Sequence, residues 1–125
     1  GITAICANDD DSNTLLTGSI DKTVKVWDIR VKNPIQQSYK SHLGAVHDIT
    51  FMPGMLTCFA SGSEDGSVRL YDLRMDKEIS VFIDKDNNDG INSISFSPSG
   101  RVITAATDSR LLKCWDTLFD LDPFQ

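Results

Sequence analysis

Apolar and polar residues alternate along short segments of this chain. In residues 46–51 (VHDITF) and 91–96 (INSISF), isoleucine and phenylalanine recur at every second position, which is typical of half-buried β-strands. Pro53-Gly54 follows the first segment and Pro98-Ser99-Gly100 the second, and both predict turns. The pattern therefore predicts short strands joined by tight turns.

The following segments extend this pattern into antiparallel sheets. Apolar runs at 58–61 and 102–105 predict a second strand, and Asp65-Gly66 is a strong hairpin signal. Further predicted strands, the last two of them weaker, lie at 68–73, 35–39 and 79–83.

The same motif recurs at a fixed interval. An aromatic residue followed by aspartate recurs at intervals of 44 residues, at Trp27-Asp28, Tyr71-Asp72 and Trp115-Asp116. A repeat of this length, containing four short strands, is typical of a β-propeller blade. We predict an all-β chain with three four-stranded antiparallel blades at 1–40, 41–84 and 85–121. The fourth strand of the last blade is poorly specified, because Pro123 would remove a backbone donor.

Composition limits the classes of partner. The formal net charge is −6, and 16 of the 18 acidic residues are aspartate, which favours turns over helices. Such a charge disfavours nucleic acid as a partner. No apolar run reaches the roughly 20 residues needed to span a bilayer. The chain starts at Gly1 without a leader pattern, as expected of a fragment.

The cysteines do not form a recognisable site. The chain has an odd number of cysteines, Cys6, Cys58 and Cys114, and no two of them have C-x-x-C spacing. Both features argue against a disulfide framework and a zinc site. Each cysteine falls in a predicted strand. We therefore expect buried structural thiols in a reducing compartment.

The repeats resemble those of WD-repeat β-propellers, and more narrowly those of the beta subunits of heterotrimeric G proteins. The resemblance rests on residues 62–74 (GSEDGSVRLYDLR), residues 90–101 (GINSISFSPSGR) and residues 115–118 (WDTL). It implies that the chain contributes three consecutive middle blades of a seven-bladed ring.

The resemblance also implies a structural hydrogen-bond tetrad in each blade. Its members in blade two are His42, Ser61, Asp65 and Tyr71, where tyrosine stands in place of the family's usual tryptophan. Blade one matches at Thr17, Asp21 and Trp27, and blade three has Asn87, Ala105, Ser109 and Trp115 at these positions. We interpret the tetrads as fold residues, since buried polar groups form hydrogen bonds and Ser61 lacks a nucleophile-elbow motif.

Protein contacts are expected on the rim formed by the residues that lead into each blade and by its hairpin turns, because rigid sheets position such loops. The predicted contact residues are Thr3, Ala45, His47, Glu64, Asn92 and Asp108. Ala45 and Gly90 lack the aspartate that the family often has there, which would weaken pairing with a basic partner.

The resemblance implies a non-enzymatic signalling scaffold without a cofactor. Its implied partners are a G-protein alpha subunit, a gamma subunit and effectors, and a lipid on the gamma subunit would provide the only membrane attachment. The expected location is the cytoplasm, including the inner face of the plasma membrane.

Three alternatives remain open from the sequence. The chain could be a WD-repeat subunit of another multiprotein assembly. It could hold a metal for hydrolysis through Asp9–Asp11 or Asp84–Asp89, although the second loop departs from a calcium loop in its glycine position and has Ser95 where a glutamate is needed. It could also pair with a second copy to give six blades.

Overall fold

The computed structural model describes residues 1–8, 13–84, 86 and 89–117, with only the backbone of Leu56. The described residues form eleven strands: β1 (Ile2–Ala7), β2 (Thr14–Ser19), β3 (Val24–Asp28), β4 (Ile35–Tyr39), β5 (Val46–Met52), β6 (Met55–Ser63), β7 (Ser67–Asp72), β8 (Glu78–Ile83), β9 (Ile91–Phe96), β10 (Val102–Thr107) and β11 (Leu112–Asp116). Within the described ranges no helix is long and apolar enough to cross a bilayer.

The strands form three antiparallel sheets that follow the chain order. The first is β1-β2-β3-β4 and the second is β5-β6-β7-β8. The third is β9-β10-β11 within the described residues. The segment 118–124, which fits a fourth strand only poorly, lies outside them, and so does the predicted blade limit at 121. The all-β propeller architecture predicted from the repeats is confirmed.

Tight turns end the strands where the sequence predicts them. Gly54 and Gly100 follow the first strands of blades two and three with φ of 76° and 74°. Gly66, in the predicted Asp-Gly hairpin, has φ of 84°. Glycine accepts this left-handed region without a steric penalty, so the chain reverses within two residues.

The sheets lie side by side, as propeller blades do. β1 contacts β5, and β5 contacts β9, so the first strand of each sheet is the innermost. One hydrophobic core lies between blades one and two and includes Leu16, Val24, Ile49 and Phe59. A second core lies between blades two and three and includes Leu70, Phe82, Ile91 and Ile103. Each core is thus an interface between blades.

Polar contacts and glycines complete these interfaces. The Asp48 carboxylate on β5 accepts a hydrogen bond from the Ile94 backbone N–H on β9 at 2.8 Å. Gly18 and Gly62 occupy equivalent positions against the next blade. A Cβ at Gly62 would lie 2.6 Å from Ile91 Cγ2, so only glycine permits this approach.

The outer faces of the first and third sheets are open. Ile2 and Ile5 on β1 are 63% and 66% exposed, whereas the equivalent Val46 and Ile49 are 0% and 3% exposed. On the third sheet Cys114 is exposed. The expectation of a buried thiol there is wrong, because Cys114 lies on the face that no other described blade covers. Cys58 is buried and Cys6 is half-buried.

Candidate protein-binding rim

One edge of the three sheets forms a continuous rim that we call the upper rim. It consists of the residues leading into each blade (1–3, 45–47 and 90–92) and the hairpin-turn residues 20, 64 and 108. One backbone hydrogen bond, from the turn N–H to a leading carbonyl at 2.9–3.0 Å, recurs in all three blades: Ile20 to Gly1, Glu64 to Ala45 and Asp108 to Gly90. This bond fixes each turn against the start of its own blade.

Glu64 joins the rim of blade two to that of blade three. A Cβ built at Gly44 would lie 3.3 Å from Glu64 Cβ, and one built at Gly90 would lie 3.4 Å from Glu64 Cα. The same Cβ at Gly90 would meet the Asp108 carboxylate at 2.5 Å. Glycine at position 90 therefore leaves room for Asp108, and the two acidic turns border one surface.

The predicted contact residues differ in accessibility. Thr3, Glu64, Asn92 and Asp108 are exposed, and Ala45 and His47 are half-buried. The Thr3 hydroxyl donates to Val46 O of the neighbouring blade and to Gly18 O. Thr3 therefore ties blade one to blade two, while Glu64, Asn92 and Asp108 offer polar groups at the surface.

A polar network lies beneath this rim in blade two. His42 Nδ1 lies 3.0 Å from Asp65 Oδ2, and His42 Nε2 lies 2.6 Å from Ser61 Oγ. The side chain of His42 is 0% exposed. Ser61 is fully buried as well. Ser61 and His42 are therefore closed to solvent, a position that suits residues that stabilise the fold.

Asp65 is held ionised by its donors. Its carboxylate accepts hydrogen bonds from Leu43 N–H at 2.8 Å, Ser67 N–H at 2.8 Å and the Ser67 hydroxyl at 2.6 Å. Burial opposes ionisation, but the hydrogen bonds from His42, Ser67 and Leu43 outweigh it and keep the pKa of Asp65 well below its usual value. Through His42 and Leu43, the charged Asp65 side chain thus links the segment before blade two to the turn that carries Glu64.

Tyr71 joins the network although it replaces a tryptophan. Its hydroxyl lies 3.3 Å from Ser61 Oγ and 2.9 Å from Ser41 Oγ. Its ring stacks on Phe59 with centroids 4.8 Å apart. Burial raises the pKa of Tyr71, so its hydroxyl stays protonated, and it accepts a hydrogen bond from the Ser61 hydroxyl.

The other blades keep parts of this arrangement. In blade one, Trp27 Nε1 donates to Thr17 Oγ1 at 2.8 Å, and Asp21 accepts from Thr23 N–H at 3.0 Å. In blade three, Ala105 offers no hydroxyl to Trp115, whose ring packs against Phe82 with centroids 5.9 Å apart. Ser109 replaces the aspartate and donates to Asp89. Asn87, the remaining predicted member, lies outside the described residues.

Sequence reasoning missed three supporting residues. Ser67 and Thr23 donate to the turn aspartates, and their signal was a hydroxyl residue two positions after aspartate. Asp48 links two blades, but Ala4 and Ser93 stand at its repeat-equivalent positions, so the repeat carried no signal for that contact.

The described residues contain no group of three or more histidine, cysteine, aspartate or glutamate side chains placed to hold a metal ion. The predicted loop at Asp9–Asp11 lies entirely outside the described residues, and three positions of the loop at 84–89 do as well.

Comparison with known proteins places the chain among propellers. The family model described as "Nucleolar protein 10-like, N-terminal domain", a β-propeller, matches residues 1–119. The chain is 34% identical to the "Guanine nucleotide-binding protein subunit beta" of Oryza sativa subsp. japonica over 122 residues, which is 94% of this chain and 32% of the relative. Identity is 33% to that of Zea mays and 31% to "subunit beta-1" of Nicotiana tabacum, with the same coverage. The chain spans about a third of the length of these relatives.

Proposed function

The chain belongs to the Nucleolar protein 10-like N-terminal family of WD-repeat β-propellers, and on that premise we propose that it is a non-enzymatic scaffold that binds proteins through its upper rim. The observation that carries this proposal is the backbone hydrogen bond that joins the hairpin turn of each blade to the residues leading into that blade. It fixes three loops in one row, and loops positioned by rigid sheets are common sites of recognition.

The charge of the rim indicates the chemistry of the partner. Glu64 and Asp108 are exposed, and Gly90 separates them. A partner surface carrying lysine or arginine would pair with these carboxylates. Charge complementarity of this kind sets association rate and specificity more than affinity.

The first candidate for the whole protein is a G-protein beta-like subunit. Relatives with that name are 30–34% identical over 94% of the chain. In this role the rim would contact an alpha subunit and effectors, and a gamma subunit would bind elsewhere on the complete ring. The protein would then be cytoplasmic, and a lipid on the gamma subunit would bring it to the inner face of the plasma membrane.

The second candidate is a WD-repeat subunit of another multiprotein complex. The family model matching residues 1–119 favours it. So do Ala45 and Gly90, which carry no carboxylate of their own at leading positions. The two candidates share the rim and differ in the partner.

The decisive experiment measures binding to an immobilised, purified G-protein alpha subunit by interferometry. The test variant combines His47→Ala, Glu64→Ala and Asn92→Ala. The control variant combines Lys32→Ala, Asn33→Ala and Asp76→Ala, which are exposed residues on turns of the opposite edge.

Under the first candidate the test variant loses about 10-fold or more in affinity, as expected when contact residues are truncated, and the control variant does not. The experiment is carried out in the context of the full-length protein, and absence of alpha-subunit binding by the unmodified protein would favour the second candidate. Undiminished binding by the test variant would refute the rim itself.

A further inference from the structure

A wide cleft lies at the outer edge of blade one. Its volume is about 690 Å³, and it is lined by the β2–β3 turn (21–23), by residues 25, 35 and 38, and by the link into blade two (40 and 42). Three of these lining residues are lysines: Lys22, Lys25 and Lys40. In a chain of net charge −6, this is a local concentration of positive charge.

The lysines are available to a ligand. Among the described residues, no carboxylate oxygen lies within 4.0 Å of the ammonium group of Lys22, Lys25 or Lys40. The acidic side chain in the lining is Asp21, whose Oδ1 accepts hydrogen bonds from the N–H and hydroxyl of Thr23 and whose pKa is lowered by these bonds and, to a smaller extent, by the charge of Lys25.

His42 also lines the cleft but is not free to bind a ligand. Both of its ring nitrogens are engaged, by Asp65 and by Ser61. The ligand contacts are therefore left to the three ammonium groups.

Lys22 occupies a backbone position that glycine fills in blade two. Lys22 has φ of 75°, in the left-handed region that disfavours any residue with a Cβ. Blade two has Gly66 at the equivalent position, with φ of 84°, and both N–H groups close the same turn, to Ser19 O and Ser63 O. Arg110 holds the same position in blade three, with φ of 67°, so two of the three blades carry a long basic side chain there, and of these two Lys22 is the one that lines the cleft.

We propose that this cleft binds the phosphate monoester of a phosphorylated protein segment, with Lys22, Lys25 and Lys40 around the phosphate. Lysine ammonium groups are well suited to a compact dianion. Ile35, which is 46% exposed, lines the same cleft and offers an apolar contact for a residue beside the phosphorylated one.

The surrounding charges favour a single phosphate over a polyanion. The adjoining cavity shares Ser38 and Lys40 with this cleft and is also lined by Asp76, Lys77 and Glu78, so it has no excess of positive charge. A nucleic acid carries one charge per roughly 1.7 Å of duplex, so its phosphates would extend beyond the three lysines to a cavity without excess positive charge. An anionic membrane surface would extend beyond the lysines in the same way. One phosphate on a peptide satisfies the lysines alone.

This site goes beyond the upper-rim proposal and does not depend on it. It requires neither Glu64 nor Asp108, and it makes no statement about G-protein subunits.

The test measures fluorescence anisotropy of a labelled phosphoserine peptide with mixed flanking residues, and of its unphosphorylated counterpart, on the 125-residue chain. We expect about 10-fold tighter binding of the phosphorylated form, and a loss of about 3- to 5-fold for each of Lys25→Ala and Lys40→Ala.

The sharpest variant is Lys22→Gly. It removes an ammonium group and relieves the left-handed backbone, so the melting temperature should rise while phosphopeptide affinity falls. Arg110→Gly is the matched control, because Arg110 has φ of 67° and closes the same turn in blade three, to Thr107 O. Arg110 does not line the cleft, so this variant should gain stability without losing affinity.

Three results would overturn the proposal. The first is equal affinity for the two peptides, and the second is an equal loss of affinity in Arg110→Gly and Lys22→Gly. The third is tighter binding to a single-stranded RNA of about 20 nucleotides, long enough to span a basic groove, or to vesicles containing a phosphoinositide, which would assign the cleft to that ligand instead.

Discussion

Substituting Gly62 by alanine tests the packing between blades two and three. The added Cβ would lie 2.6 Å from Ile91 Cγ2 and 2.9 Å from Ile94 Cγ2. Ordinary van der Waals contact begins at 3.4 Å. Ile91 is fully buried in the core between the two blades, so it cannot move away without displacing its neighbours.

The expected cost follows from this overlap. Inserting one methyl group into a well-packed core costs about 1–3 kcal/mol of folding free energy. Alanine also loses less backbone entropy than glycine on folding, which offsets about 0.5–1 kcal/mol. Because two buried side chains are overlapped, the steric cost should exceed this gain, and we expect a net loss of about 1–2 kcal/mol.

Urea denaturation of a double-mutant cycle isolates the contact. Ile91→Ala alone should cost about 2–5 kcal/mol through the cavity it creates. In the double variant the methyl group added at position 62 would occupy part of that cavity, so the combined cost should fall below the sum of the two by at least about 1 kcal/mol.

Ala106→Gly provides the matched control. Ala106 stands in blade three where Gly18 and Gly62 stand in the other blades, and it is exposed. Its truncation should cost no more than the backbone effect of about 0.5–1 kcal/mol. A neutral Gly62→Ala, or an additive cycle with Ile91→Ala, would refute this account of the interface.

Further predictions concern the network and the thiols. Asp65→Ala should cost at least about 1–3 kcal/mol in urea denaturation, because it leaves buried donors of His42 and Ser67 without their acceptor, whereas exposed Asp108→Ala should stay within about 0.5 kcal/mol; equal effects would contradict the network. The folded-state pKa of Asp65 is lowered, and hydrogen bonding from Arg74 lowers the folded-state pKa of Asp72 to about 2. The stability that these two carboxylates contribute is therefore present above the unfolded pKa of about 3.8 and is lost as the pH falls through the folded values. The free energy of unfolding should accordingly depend less on acid pH in Asp65→Ala than in the unmodified chain. Burial and the nearby Asp72 raise the pKa of the Cys58 thiol. A chromogenic disulfide reagent at about pH 8, near the ordinary thiol pKa, should therefore label exposed Cys114 first and Cys58 only on unfolding. Rapid labelling of a double variant, Cys6→Ser with Cys114→Ser, would show that Cys58 is accessible. Burial raises the pKa of Tyr39 to about 12, so in an absorbance titration this phenol should ionise only at the alkaline end; a normal midpoint in a chain whose Tyr71 is replaced by Phe would contradict it.

The fold was predictable because local signals and the repeat agreed. Period-two alternation predicted β5 and β9, and Asp65-Gly66 predicted the hairpin between β6 and β7. The interval of 44 residues then placed equivalent strands in each blade without any knowledge of long-range contacts.

The sites were less predictable because they depend on contacts between blades and on side-chain exposure. Thr3 was predicted as a partner contact, but its hydroxyl bonds to Val46 O of the next blade, which no spacing within one repeat indicates. The lysine cleft combines a turn of blade one with the link into blade two. Lys22 stands where blade two has glycine, but blade three has Arg110 there, so the sequence alone did not single out this position.

Ala106 also bears on whether two copies of the chain close a six-bladed ring. Repeating the internal interface would set Ile2 of one copy against Ala106 of the other, as Ile91 is set against Gly62. A Cβ at Gly62 would lie 2.6 Å from Ile91 Cγ2, and Ala106 already carries that Cβ. A ring closed by the same packing would therefore contain this overlap at both junctions.

We therefore expect no discrete two-copy species in solution, although the exposed Ile2, Ile5 and Leu112 favour less ordered association at high concentration. Light scattering coupled to gel filtration measures this directly. Because Ala106→Gly removes the overlap, it should raise the two-copy fraction above that of the unmodified chain. A stable two-copy species of the unmodified chain, unchanged by this substitution, would show that the end blades pack in a way that the internal interfaces do not predict.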